Sequence, residues 1–386
     1  MALHNQERRG IKSTYLRVSQ IPGVQNSYLP HHPYQPMLTK LTFSLISCYF
    51  NALLAILGNS LLISLILKRS PRSMGNYKYL MLLFSSFGVV FAIIDVTNQP
   101  MLHFFNGAYI IFSRNVLGLP RRISFWYIAL NCACYGMIML LLVYHFVYRY
   151  LAVCKPHRLE LFSWPYYNIL IIIFVVVSLE WWIVAIFVAG ENPEVEGHIQ
   201  ETMAENYGLN DVKDYTYASS WFYRINRITG QEYASIPDFL FLGNLGVIIT
   251  SGFSTIIYCW LRLRRELIQS ARELQSISQR TLEMQRQLFH SLIAQTLFPV
   301  FLMFIPAGIL LCFPILKMNM GSVEVVILPL ITTQPFMDAI VPMYFIKDYR
   351  MAILNFVRRN KNRAKVNMAA DLDRSATNSK VFSLRT

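Results

Sequence analysis

Hydrophobic side chains in this chain run in unbroken stretches about as long as a bilayer is thick, separated by shorter polar links. A helix needs about 20 mainly apolar residues to cross the hydrocarbon core. Seven stretches meet that length, and the pattern predicts a spanning helix over each of 41–67, 79–101, 123–148, 166–189, 237–261, 292–316 and 323–346. The stretch 102–122 does not qualify, because Asn106, Arg114, Pro120, Arg121 and Arg122 break it. The expected fold is all-α: a seven-transmembrane bundle over 41–346, with a tail at 1–40 before it and a tail at 347–386 after it.

Two of the polar links carry a helical pattern of their own. In 262–291, Leu267, Ala271, Leu274 and Ile277 recur at helical spacing and Arg264, Arg265, Glu266, Arg272 and Glu273 fill the other face. This predicts that the fifth and sixth helices extend beyond the membrane. After the last span, Ile346, Tyr349, Ile353, Phe356 and Val357 share one face, with Lys347, Arg350, Arg358 and Arg359 beside it. That is the pattern of a short helix on a membrane surface. The link 190–236 is the longest. It holds eight acids and a run of aromatics including Tyr215, Tyr217, Trp221 and Phe222. It is read either as a lid over a cavity or as a solvated loop. Ser375, Thr377 and Ser379 in the polar C-terminal tail are candidates for phosphorylation.

Composition agrees with the pattern. The chain of 386 residues is 54% hydrophobic and 15% charged, against about 25% charged in soluble domains. The net charge of +14 comes from 35 basic and 21 acidic residues. Of the basic residues, 23 lie in 68–78, 149–165, 262–291 and 347–386. By the positive-inside rule those links are cytoplasmic and the N-terminus is outside. Basic links beside apolar spans favour an anionic lipid surface as partner, and no nucleic-acid partner is expected. The six cysteines fall in or beside apolar runs, without metal-ligand spacing, so neither a disulfide framework nor a metal is expected. Residues 1–37 show no apolar signal core, so the first span is expected to direct insertion.

Polar residues inside the runs are the candidate chemistry, because each is costly in lipid without a partner. Asn59, next to Gly58, suits an interhelical hydrogen bond. Asp95 lies in the outer half of the second helix near Asn98, Pro100 and His103, where it faces a cavity or pairs with another helix. Asn131 and Tyr135 lie one turn apart on the third helix, Asn131 about 12 Å deep, and Asn244 on the fifth helix is at comparable depth. These six, Asp95, Asn98, His103, Asn131, Tyr135 and Asn244, are the candidate ligand contacts. Pro299 and Pro306 interrupt the sixth helix, and Pro329, Pro335 and Pro342 the seventh, which favours kinks. Asp338, between two of these prolines, suits an internal polar network. Arg149 ends the third helix, where it either snorkels to headgroups or guards an inner cavity.

Taken together these stretches resemble the nematode seven-transmembrane chemoreceptors of the serpentine receptor class r (Str) family. The resemblance covers roughly 38–357 and rests on Leu57-Gly58-Asn59-Ser60, Gly75-Asn76-Tyr77-Lys78-Tyr79, Asp95 with Pro100 and His103, and His145-Phe146-Val147-Tyr148-Arg149-Tyr150. It also rests on Gln285-Arg286-Gln287-Leu288-Phe289, Gln295-Thr296-Leu297-Phe298-Pro299, and Asp338 with Ile346-Lys347-Asp348-Tyr349-Arg350. The resemblance implies a G-protein-coupled olfactory receptor in the plasma membrane, on the cilium of a chemosensory neuron. Its partners would be a small odorant, a heterotrimeric G protein and the bilayer, with no cofactor. Tyr148, Arg149, Tyr150, Asp338, Tyr349 and Arg350 would serve coupling and activation. Tyr148 stands where rhodopsin-like receptors carry an acid, so the arginine lacks its usual ion-pair partner. No cysteine lies in 190–236, so the usual bridge to the third helix cannot form. The alternative classes are a ligand-gated channel or small-molecule transporter, for which no inverted repeat is evident. A membrane enzyme would need a ligand or nucleophile cluster; H-E-x-x-H is absent and His103 and His145 lie near opposite faces.

Overall fold

The apolar runs form helices because a backbone in hydrocarbon must satisfy its polar groups within its own segment. The computed structural model describes residues 34–71, 74–225, 229–272, 279–318 and 324–362. The bundle lies within one unit, Lys40–Thr386. Helix α1 is Tyr34–Arg69, α2 Tyr77–Asn98, α3 Arg121–Cys154 and α4 Tyr167–Val188. A shorter α5, Pro193–Tyr207, precedes the long α6, Ile236–Arg272. Then come α7, Gln279–Pro299, and α8, Ile305–Ile315. The seventh position is filled by α9, Glu324–Thr332, and α10, Gln334–Phe345, and a last helix, α11, spans 347–362. Among the described residues six segments are long and apolar enough to cross a membrane alone; α9 and α10, bent by 41°, make the seventh if taken as one span.

The prolines act differently in the two helices expected to kink. Between α7 and α8, Val300–Phe304 forms a π-helical turn flanked by Pro299 and Pro306. The extra residue absorbs the missing N–H donors, so Leu282–Ile315 continues as one span. Between α9 and α10 the chain breaks at Thr333, whose Oγ1 donates to the Pro329 carbonyl at 2.8 Å. The break lies between Pro329 and Pro335, and Asn51 of α1 holds it by donating to the Pro329 carbonyl and Thr332 Oγ1, both at 2.8 Å.

The link 190–236 departs from the solvated-loop reading: it is folded. Asn192 caps α5 by accepting from the Glu194 amide at 2.8 Å, Pro193 occupies its first turn, and Gly208 ends it at φ 68°. Val195, Ile199, Met203 and Tyr207 recur at four-residue spacing and are buried. They rest on a three-stranded antiparallel sheet, β1 (Met101–Phe105), β2 (Ala108–Ser113) and β3 (Thr216–Trp221). Asn106-Gly107, both at positive φ, make the tight β1–β2 turn. A second hairpin pairs β4, Tyr223–Ile225, with β5, Glu232–Ala234.

Strand alternation gives this sheet two different faces. Ala108, Ile110, Phe112, Tyr217 and Trp221 join the α5 residues in a small core of their own. Leu102, Tyr109, Ile111 and Ala218 point the other way, into the bundle. The β2–β3 ladder pairs Ala108 with Trp221 through Ser113 with Thr216. Thus a run of backbone hydrogen bonds ties 190–236 to the bundle where a cysteine bridge is ruled out. Arg121 adds ion pairs to Glu191 at 2.8 Å and Glu196 at 2.7 Å. In the bundle itself α3 is the axle, packing against α2, α4, α6, α7 and the sheet.

The predicted extension of α6 and α7 is present in the described residues; Leu274 and Ile277 lie outside them, as do Ser375, Thr377 and Ser379 and residues 1–33. The face predicted for α11 divides. Ile346 and Tyr349 are fully buried in the bundle, whereas Phe356 and Val357 are exposed. Only the distal part of α11 is therefore free to lie on a surface.

Candidate ligand cavity and the Arg149 cluster

Under the sheet, between α3, α4, α6, α8 and α9, lies a cavity of about 180 Å³. Its walls are mostly apolar: Phe241 and Leu245 from α6, Met303 and Phe304 from the π turn, Leu310 and Leu311 from α8, Leu328 and Ile331 from α9. Polar groups are few and come from α3 and the sheet: Asn131, Cys132, Tyr135, Tyr109, Ser219 and Ser220. The hydroxyls of Tyr109 and Tyr135 make no hydrogen bond to any described residue, so both remain available to a ligand. None of the lining residues carries a charge. Trp181 of α4 forms one wall. Its ring lies against Gly136 of α3, where an added Cβ would overlap it. Nothing in the one-dimensional pattern of Gly136 announced this; it depends on the two helices meeting there.

Of the six candidate ligand contacts, Asn131 and Tyr135 line this cavity. Asp95 is buried behind it. It accepts from Asn131 Nδ2 at 3.3 Å and, weakly, from the Cys48 thiol at 3.9 Å. With Ser44, Cys48, Pro100 and Thr332 it lines a small separate pocket. Asn98 is buried at the end of α2, where its carbonyl accepts from the Ser113 hydroxyl at 2.5 Å. His103 lies on β1 with odd-numbered parity, which turns it toward α5: its Nε2 bonds the Thr202 hydroxyl at 2.9 Å and its ring meets Tyr207. Asn244 donates to Glu180 at 2.8 Å, joining α6 to α4. Depth and nearness in sequence group the six; rotation about each helix and strand separates them.

Around α5, outside the spans, three titratable groups are shifted from their ordinary values. Burial pushes the Glu191 carboxyl above its ordinary value despite its bond from Arg121. Burial holds His198 below its ordinary value; its ring stacks on Trp221 with centroids 4.3 Å apart. Burial also raises the Tyr215 hydroxyl to about 12.

At the other end of α3 the arginine does not snorkel. Arg149 is 2% exposed, with its guanidinium 3.5 Å over the Tyr77 ring and Nη1 donating to Gln285 Oε1 at 3.0 Å. Its Nε and Nη2 have no partner among the described residues, and it forms no ion pair there. Tyr148 is further off, 5.9 Å from the guanidinium, and packs on Phe162. Tyr77 also bonds His145 Nδ1 at 2.9 Å. Tyr150 stacks edge-on with Tyr258 of α6. Asp338 is buried and accepts from the Gln334 side chain, while its carbonyl accepts from Gln295 at 3.4 Å. Asn59 donates to the Pro335 carbonyl at 2.9 Å, so this polar line joins α1, α7 and α10. Tyr349 bonds the Ser70 hydroxyl at 2.7 Å, and its own hydroxyl is raised to about 12 by burial. Arg350 donates to the Tyr344 carbonyl at 3.1 Å. Tyr77 and Gln285, the groups that contact the guanidinium, lay inside matched stretches but carried no signal of their own.

A multi-helix membrane bundle with a sheet-roofed cavity at one end of α3 and a buried arginine at the other defines a multi-pass membrane protein of the seven-helix type. The chain belongs to the serpentine type 7TM GPCR chemoreceptor Str family, which matches residues 44–354. It is similar to serpentine receptor class r-10 of Caenorhabditis elegans, 26% identical over 321 residues, covering 83% of this chain and 91% of that protein. The serpentine receptor class r-10 of Caenorhabditis briggsae is 26% identical over 326 residues, with the same coverage of 83% and 91%. G-protein coupled receptor str-33 of C. elegans is 23% identical over 335 residues, covering 82% of this chain and 91% of that protein. Members of this family are membrane receptors rather than enzymes, with a ligand, a G protein and lipid as partners.

Proposed function

We propose that this receptor binds a small odorant in the cavity beneath the sheet and signals to a heterotrimeric G protein through the Arg149 end of the bundle. In this reading the N-terminus and the sheet are extracellular, the tail after 346 is cytoplasmic, and the receptor sits in the plasma membrane of a sensory cilium. The observation that carries the reading is that one helix, α3, presents Asn131 and Tyr135 to the cavity and Arg149 to the opposite end. A ligand that fits one packing of α3, α6 and the π turn better than another shifts the population of bundle states. Arg149 then leaves Tyr77 for a partner. The basic links 68–78, 149–165 and 262–291 on the Arg149 side support that sidedness.

The test is a small-molecule panel on cells expressing the receptor with and without a G protein. A response that requires the G protein, and that Arg149→Ala abolishes at unchanged surface expression, is the expected result. A ligand-gated current in bilayers without any G protein would instead favour a channel. Antibody access to tags at the two termini should find them on opposite sides of the membrane.

A further inference from the structure

The cavity is closed beneath the sheet and open along its side. Ile110, Ser219 and Ser220 in the roof are buried, and α5 covers them from above. On that side lies the gap between α6 and α8, which no extensive helix contact seals. At one end the Phe253 and Phe304 rings close it, 5.0 Å apart. At the other, Lys317 bonds Glu232 of β5 at 2.5 Å and lies 4.5 Å over the Tyr223 ring. Between these pins the two helices do not pack closely. A methyl added at Gly246 or Gly308 would meet no atom within 4 Å. Leu245 of α6 and Ala307 and Leu311 of α8 line the cavity and are all only partly buried. From Phe241 to Phe253, α6 runs about 18 Å along this opening. Its outer surface is uncharged, with Leu240 and Val247 each 69% exposed beside the small residues Gly243, Gly246, Thr250 and Ser251. In a spanning helix such a surface faces acyl chains.

We infer that the ligand enters this cavity sideways from the bilayer, between α6 and α8, and is a neutral, lipid-soluble molecule. The inference rests on the cavity being the ligand site. A charged molecule loses its hydration in hydrocarbon and finds no counter-charge among the lining residues to replace it. An apolar one concentrates in the membrane beside the opening. The β2–β3 ladder and α5 cover the cavity on the side of the sheet.

Cys132 lines the cavity and reports access without any ligand or G protein, so this test stands apart from the signalling assay. The full chain carrying Gln231→Cys, on the exposed β4–β5 turn, is placed in lipid nanodiscs. It is treated with bilayer-partitioned N-(1-pyrenyl)maleimide or with a membrane-impermeant trimethylammonium methanethiosulfonate, and each thiol is followed by peptide mass spectrometry. The expected result is that the pyrenyl reagent modifies Cys132 and exposed Cys312, while the charged reagent modifies the thiol introduced at 231 and spares both of these. Leu245→Ala or Leu311→Ala should speed Cys132 modification several-fold, and Lys317→Ala should leave it unchanged. Charged reagent at Cys132 at the rate of the position-231 thiol overturns the inference. So does acceleration by Lys317→Ala, or no pyrenyl modification of Cys132 while Cys312 reacts.

Discussion

The guanidinium of Arg149 rests 3.5 Å over the ring of Tyr77, a residue of a different helix, and not against its chain neighbour Tyr148 at 5.9 Å. A buried cation normally has an acid beside it. Here the electron-rich face of a tyrosine and one amide oxygen, from Gln285, take that place. The Arg149 guanidinium is therefore held by an aromatic contact between α2 and α3.

The first prediction follows from that contact. A desolvated cation–π contact contributes about 2 kcal/mol, equivalent to about a 30-fold shift in a two-state equilibrium. Tyr77→Leu should raise ligand-independent signalling by up to that factor per receptor at the surface. Tyr77→Phe keeps the ring, loses the bond to His145, and should raise it much less. Basal G-protein turnover in membranes measures both; equal effects of Leu and Phe would assign the hold to the hydroxyl instead.

A second prediction separates ligand contacts from structural ones. The Tyr135 hydroxyl has no partner among the described residues, so Tyr135→Phe should leave thermal stability unchanged and alter only the ligand dose–response. Asn131→Ala removes the amide on Asp95 and leaves that buried carboxyl with the Cys48 thiol alone. An unsatisfied buried polar group costs about 1–3 kcal/mol, so this variant should melt lower as well. Unfolding in lipid read beside dose–response curves distinguishes the two.

Gly136 gives a third. Any side chain there overlaps the Trp181 ring and forces α3 and α4 apart. Overpacking costs about 1–3 kcal/mol, occasionally more. Gly136→Ala should lower both the melting temperature and the yield of folded receptor. Gly243→Ala, at a position with nothing within 4 Å, is the control and should do neither.

His198 gives a dependence on pH. Its folded-state pKa lies below the ordinary 6.5 because burial disfavours the charged ring. Between the two values the unfolded chain binds the proton and the folded protein does not. Stability should therefore decline as pH falls below about 6.5. Glu191 has the opposite sign, its raised value adding stability toward acid. The comparison of wild type with His198→Gln isolates the histidine. Melting curves from pH 8 to 5 should show the two proteins' stabilities converging or crossing toward acid, and parallel curves would remove the assignment.

Some of this architecture was legible along the chain. Length and apolarity mark each span because lipid offers the backbone no partner but itself, and the Asn59 bond and the buried setting of Asp338 follow from the same scarcity of partners. Helix α5 was legible in principle, through Val195, Ile199, Met203 and Tyr207, but its acidic surroundings masked the spacing. Rotation was not legible: a segment such as α4, apolar on every side, has no face that its pattern singles out. Which side chains meet is decided by packing between distant elements. Only the folded bundle sets Arg149 on Tyr77, turns His103 toward α5 while Tyr109 turns to the cavity, and leaves α6 standing off from α8.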